Sequence, residues 1–244
     1  MCGRYTLTAT PEEVARLFEI AEAFEPFPPR YNIAPTQPIA VVQLLSGRRR
    51  LELVRWGLVP HWVKDPSALS PMHNARSETA AEKPAFRTAL RHRRCLVPAS
   101  GFYEWRRTGT KAPFHIRPRD GGLLAFAGLC EEWIDGDGGI HESAAILTTA
   151  ANATLATIHD RMPVIVPPAD FGRWLDVMGN DVRHVADLLG PAPDDLLEAW
   201  PVGPAVNSAR NDGEELVRPA DAPPAPKRSR KSGEPEQGDL LAGL

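Results

Sequence analysis

Cysteine is scarce in this chain. Only Cys2, Cys95 and Cys130 occur in 244 residues, and no two form a CxxC pair. That spacing speaks against a zinc site and against a disulfide framework, so neither metal nor cofactor is expected. The N-terminus lacks a basic stretch followed by an apolar one, and no apolar run is long enough to span a bilayer. A soluble, cytoplasmic, reducing setting with no membrane association is the expectation, and there Cys2 remains a thiol. Charge of one sign is also missing. The net charge is −3, so overall charge does not mark a nucleic-acid binder. No internal repeat is visible.

The charges are distributed unevenly. Glu12, Glu13, Glu19, Glu22 and Glu25 crowd one segment; Arg48-Arg49-Arg50 and Arg87, Arg91, Arg93 and Arg94 crowd two others. Such runs are more often solvated surface than binding faces. Thr10-Pro11-Glu12-Glu13 reads as a helix start, with a Thr cap, Pro at the first position and Glu three after the cap. Residues 39–45 and 51–55 flank Ser46-Gly47 and read as a hairpin. Further strands are expected at 94–98, 101–105, 113–117, 123–129, 144–149 and 163–166. Helices are expected at 79–91, 169–177, 180–189 and 194–199. This order suggests an α+β fold, mostly a β-barrel-like core with peripheral helices. From about residue 219 the composition turns Pro-rich and then basic, so the expected domain is 1–218 and the expected disordered tail 219–244.

Cys2 is the most informative residue present. Initiator methionine is usually removed before a small side chain, and removal of Met1 would leave an α-amine and a thiol on one residue. An α-amine titrates near pH ~8, roughly two units below a lysine. A thiol is the other strong nucleophile available at neutral pH. Both can add to one aldehyde carbon and close a five-membered thiazolidine.

Other segments combine unusual residue types. Asn74-Ala75-Arg76-Ser77-Glu78-Thr79 precedes a helix, where Ser77 or Glu78 would serve as a plain cap. Glu104 lies between Tyr103 and Trp105; desolvation there would raise its pKa and suit it to proton transfer. Thr148-Thr149 ends an apolar strand. His159 stands beside Asp160 and Arg161, and a histidine suits acid–base work at neutral pH. Trp56 and Trp62 flank a Gly/Pro turn, read either as core or as a stacking platform for single-stranded nucleic acid.

In order, the chain carries Met1-Cys2-Gly3-Arg4-Tyr5, Tyr31-Asn32-Ile33-Ala34-Pro35-Thr36, Trp56-Gly57-Leu58-Val59-Pro60 and Asn74-Ala75-Arg76-Ser77-Glu78-Thr79. Arg94-Cys95-Leu96-Val97-Pro98-Ala99 with Gly101-Phe102-Tyr103-Glu104-Trp105 follows, then His159-Asp160-Arg161-Met162-Pro163. Over residues 2–210 this pattern resembles the SOS-response-associated peptidase (SRAP) family. The resemblance implies recognition of abasic sites in single-stranded DNA and a covalent crosslink through the N-terminal cysteine. It implies catalytic roles for Cys2, Asn74, Glu104 and His159. It implies DNA contacts by Arg4, Trp62, Arg76, Arg87, Thr149 and Arg161, and a monomer associated with the nucleoid and replication forks. A lyase activity and a thiol autopeptidase activity are further implications.

Rival readings are an N-terminal-cysteine thiol peptidase or amidohydrolase and a non-covalent DNA-damage-binding module. In the tail, Gln237, Asp239, Leu240 and Leu241 resemble the short peptides that dock on bacterial sliding clamps, which makes the replication clamp an expected partner.

Overall fold

A computed structural model describes residues 2–21, 26–107, 109, 111–179 and 181–220. Met1 and the clamp-like peptide at 237–241 lie outside the described residues. The strands are β1 Tyr5–Leu7, β2 Arg30–Ile33, β3 Pro38–Leu45, β4 Arg48–Trp56, β5 Asn74–Arg76, β6 Arg94–Ala99, β7 Gly101–Trp105, β8 Pro113–Pro118, β9 Leu124–Ile134, β10 Ile140–Ala150, β11 Arg161–Pro163 and β12 Leu197–Pro201. The α-helices are α1 Pro11–Phe18, α2 Ser77–Ala80, α3 Pro84–His92, α4 Ala153–Ala156 and α5 Phe171–Leu175.

The hairpin expected from residues 39–55 is β3 and β4, joined by Ser46-Gly47 with Leu45 opposite Arg48. Both turn residues have positive φ, 52° and 76°, the backbone twist that two-residue hairpins favour. β4 then pairs with β10, β10 with β9, β9 with β6, and β6 with β3. The ring of five strands closes on itself, which leaves no open edge. Its inner strands read as continuous apolar runs because both faces are covered: all six residues of β6 are buried.

A second sheet, in the order β12-β8-β7-β1-β2, packs across the barrel. Tyr5 meets Trp56 and Phe126 edge-on at 5.4 and 6.1 Å, and Phe102 meets Phe126 at 5.8 Å. The opposite face carries Tyr103, which packs with Val202, Val206 and Leu216 in a separate small cluster. The fold is therefore α+β, a closed barrel with an added sheet and peripheral helices.

The helical expectations fare unevenly. Thr10 caps α1 with a full capping box: its hydroxyl accepts from Glu13 N at 3.2 Å, and the Glu13 carboxylate accepts from Thr10 N at 2.8 Å. The helix expected at 79–91 is two helices, because Pro84 cannot continue α2 but can open α3. Neither Ser77 nor Glu78 caps α2; Arg76 occupies the cap position without a side-chain bond. Residues 168–170 form a 3-10 turn ahead of α5, and 182–189 are 3-10 throughout. The helix expected at 194–199 is the edge strand β12, held in register by β8 from Leu197↔Pro118 to Pro201↔Phe114. Packing extends past residue 218: Ala220 N donates to Pro201 O at 2.9 Å. No helix among the described residues is long and apolar enough to cross a membrane.

β10 positions the site. Its first half is gripped by β4 and β9. Its second half is gripped by two short strands, with Ile146 opposite Asn74 on β5 and Ala150 opposite Arg161 on β11. The end of β10 therefore gathers Asn74, Arg76, Thr148, Thr149 and Arg161 from segments up to 87 residues apart in sequence (74 to 161).

Candidate functional site

Cys2 is completely buried. Asn74 Nδ2 donates to the Cys2 carbonyl at 2.7 Å. That bond assigns the amide: the carbonyl can only accept, so nitrogen faces it and Oδ1 points the other way. Asn74 Oδ1 is buried and receives no donor among the described residues. Two residues on, Arg4 O accepts from Tyr103 N at 2.9 Å, which lashes the N-terminal segment to β7. The Cys2 thiol also points at Arg4 O, at 3.8 Å. Burial pushes the thiol pKa well above its ordinary value, and the nearby Glu104 charge adds to the rise.

Glu104, on β7, is 3% exposed. Burial pushes its carboxyl up to about 7. The desolvation does not come from Tyr103 and Trp105. In a strand, neighbours face the opposite side; Tyr103 sits in the outer cluster, and Glu104 shares the inward face of Phe102. Burial on the barrel side of the sheet, rather than the flanking aromatics, is what raises this carboxyl.

His159 Nε2 lies 3.8 Å from Glu104 Oε2. At the other ring nitrogen two groups compete. The Arg161 N–H donates to Nδ1 at 3.0 Å, and the Asp160 carboxylate lies 3.1 Å from the same atom. The backbone N–H cannot turn away, whereas exposed Asp160 also accepts from Arg107 at 2.9 Å. The neutral ring therefore keeps its lone pair on Nδ1 and its proton on Nε2, facing Glu104. Burial lowers the His159 pKa, with Asp160 pulling the other way, so the neutral ring dominates at neutral pH.

The cationic residues divide by environment. Arg4 is a staple: its guanidinium donates to Asn32 Oδ1 at 2.9 Å, Val206 O at 2.8 Å and Asn207 O at 3.3 Å. Arg161 forms a bidentate pair with Glu78, at 2.5 and 2.9 Å, and donates to Thr148 O at 2.6 Å. Arg76 and Arg87 are exposed, with no hydrogen-bond acceptor among the described residues. Thr149 is buried opposite Met162.

The two tryptophans part company. Trp56 is buried, its indole donating to His73 O at 2.8 Å, so it is core and offers no face for stacking. Trp62 is 48% exposed and stands edge-on to His61 at 4.9 Å. Its loop is tied down on either side, by Val59 N to Ser143 Oγ at 2.9 Å and by Trp133 Nε1 to Val63 O at 2.6 Å.

The structure thus unites Cys2 with Asn74, Glu104 with His159, and His159 with Arg161. Among the described residues no hydrogen bond links Arg87 or Trp62 to that set. Sequence reading missed the partnership of Glu78 with Arg161. The signal available was a carboxylate and a guanidinium in two separate motif segments.

Known proteins share this arrangement of chain. The family model described as SOS response associated peptidase (SRAP) matches residues 1–209. The abasic site processing protein YoqW of Bacillus subtilis is 40% identical over 222 residues, covering 89% of this chain and 99% of its own. The abasic site processing protein YedK of Escherichia coli is 33% identical over 227 residues, covering 90% and 100%. A crystal structure of a Bacteroides thetaiotaomicron protein superposes with a TM-score of 0.81 at 25% identity, covering 90% of this chain and all of that one. With six-sevenths of its length matched by one family model and full-length relatives above 30% identity, the chain belongs to the SRAP family.

Proposed function

We propose that this protein processes abasic sites in single-stranded DNA by trapping them covalently on Cys2 once Met1 has been removed. The observation that carries the reading is the placement of Cys2: a buried residue whose carbonyl is gripped by Asn74, within electrostatic reach of Glu104. The relatives' printed names, abasic site processing proteins, supply the substrate.

An abasic deoxyribose opens to an aldehyde at C1′. The freed α-amine of Cys2 adds to that carbon, and loss of water leaves an imine. The thiol then adds to the same carbon; the S–C bond forms, the imine nitrogen takes up a proton, and a thiazolidine closes. In sum one water is released and the ring keeps one N–H. Asn74 Oδ1, buried and receiving no donor among the described residues, is suited to receive an N–H of the freed amine. Glu104, with a carboxyl near neutrality, is suited to carry protons between sugar oxygen and amine. The Nε2–H of His159 faces Glu104 Oε2 at 3.8 Å and is suited to steady the charged carboxylate after it has given up its proton.

Removal of Met1 is essential because an amide nitrogen is not nucleophilic. It also helps the thiol: an ammonium on the adjacent carbon opposes the upward push of burial. The Cys2 sulfur faces the Arg4 carbonyl at 3.8 Å; a peptidase that used His159 as its base would need that imidazole beside the sulfur instead, which favours the trapping reading. Arg76, Arg87 and Trp62 are the proposed exposed DNA contacts, with Arg4 and Arg161 lining the approach; clamp docking through residues 237–241 belongs to the same proposal.

The test is a single-stranded oligonucleotide with one abasic site, resolved on a denaturing gel. Wild type gives a heat-stable shifted band. Cys2→Ser forms only a reducible imine adduct, and Cys2→Ala forms no thiazolidine. Equal, heat-stable adducts from Cys2→Ala and wild type would remove Cys2 from the chemistry.

A further inference from the structure

The Arg161 guanidinium is not waiting open for DNA. Nη1 donates to Glu78 Oε1 at 2.5 Å, and Nη2 donates to Glu78 Oε2 at 2.9 Å and to Thr148 O at 2.6 Å. A guanidinium holds phosphate through the same parallel pair of N–H bonds. Glu78 therefore fills the seat a phosphate would take.

The two partners differ in freedom. The Arg161 side chain is 16% exposed and that of Glu78 47%. Arg161 is pinned from below by Thr148 O, and its own backbone N–H holds His159. Glu78 rides at the surface on the four-residue α2, and Arg76, two positions back, faces solvent. The carboxylate is the partner able to leave. An ion pair this exposed is weak enough to be exchanged.

We infer that Glu78 is a specificity-determining residue: it occupies the phosphate seat of Arg161 in the absence of DNA, and a backbone phosphate must displace it. The inference rests on the DNA-binding reading of the site. Its consequence is discrimination by competition. An intact strand has only reversible contacts, so the competing carboxylate lowers its occupancy. A strand with an aldehyde is captured covalently, and weak initial binding suffices. Unfavourable contacts against the wrong ligand are one of the two routes to specificity.

The experiment compares wild type, Glu78→Gln, Glu78→Asp and Glu12→Gln. Glu12 is exposed on α1, and its substitution changes the net charge by the same amount. Binding of an intact fluorescent single-stranded oligonucleotide is followed by anisotropy across a salt series, and crosslinking to an abasic oligonucleotide is followed on a denaturing gel. Glu78→Gln should bind the intact strand about fivefold tighter at low salt, the gain shrinking as salt screens the charges. Glu78→Asp, which keeps the negative charge, and Glu12→Gln should bind like wild type. Binding by Glu78→Gln that is unchanged or weaker, or an equal gain in Glu12→Gln, overturns the inference. Failure of wild type to crosslink the abasic strand overturns the underlying reading instead, so the two failures are told apart.

Discussion

Asn74 and Cys2 are joined by a single bond, side-chain amide to backbone carbonyl at 2.7 Å, across 72 residues of sequence. The register of β5 on β10 makes it. Ile146 opposite Asn74 sets the height of the amide, and Tyr103 N on Arg4 O sets the height of the N-terminus. Asn74→Ala removes the grip without touching any proposed DNA contact. A misplacement of the nucleophile by about 1 Å is expected to slow crosslinking on the order of 10- to 100-fold. Affinity for an intact oligonucleotide should stay within about twofold. A single-turnover crosslinking series at saturating DNA, paired with anisotropy, checks the split.

Glu104 links the site to pH. Its carboxyl is pushed up to about 7 by burial, so the crosslinking rate should inflect near neutrality. Glu104→Gln should lose the inflection and fall roughly 100-fold, the scale of a positioned proton carrier. A rate–pH profile of the variant that kept the wild-type inflection would assign it to another group.

The same burial makes a stability prediction of opposite character. Unfolded, this carboxyl titrates at 4.5; folded, at about 7. Between those values the folded chain holds the extra proton, so stability falls as pH rises through the window. Above it the charged, buried form costs about 3 kcal/mol. Glu104→Gln carries no such cost. Urea unfolding of both proteins at pH 5 and pH 8 should show the variant gaining on wild type by roughly that amount; a difference independent of pH contradicts it.

Arg4 and Arg76 should separate structure from DNA contact. Arg4 holds two carbonyls and a side-chain amide oxygen, so Arg4→Ala should lower unfolding stability by about 1–3 kcal/mol along with DNA affinity. Arg76 is exposed and its side chain makes no hydrogen bond among the described residues. Arg76→Ala should leave the melt unchanged and reduce the salt slope for single-stranded DNA by about 0.7. Equal melting losses in both would deny the staple role of Arg4.

Gly101 opens β7 under close constraint. A Cβ there would lie 2.6 Å from the Ile116 carbonyl and 2.7 Å from His115 Nε2. The carbonyl is backbone within β8 and cannot step aside. Gly101→Ala should cost about 1–3 kcal/mol in thermal unfolding, with the strand that carries Glu104 displaced as well.

What could be read from the sequence depended on length scale. The hairpin at 39–55 was legible because alternation and a Ser-Gly turn agree, and α1 because a capping box is local. β1, β5 and β11 are three residues each, too short for any period to show. Leu197, Glu198 and Ala199 are good helix formers, so the sequence reads as helix where β12 forms; its pairing with β8 overrides that preference. The Gly/Pro turn leaves Trp56 readable as core or as stacking platform, and its burial in the barrel decides for core. The resemblance points to Cys2, Asn74, Glu104 and His159; in the structure Asn74 holds the Cys2 carbonyl and Glu104 lies beside His159, and their roles are a proposal. The pairing of Glu78 with Arg161 spans 83 residues, and only the two short strands on β10 create it.

The most direct measurement of the central claim is the intact mass of the purified protein before and after incubation with an abasic single-stranded oligonucleotide. The account predicts a chain lacking Met1 that gains the mass of the oligonucleotide minus one water, and no such gain for Cys2→Ala. Retention of Met1 together with full adduct formation, or a stable adduct on Cys2→Ala, would contradict it.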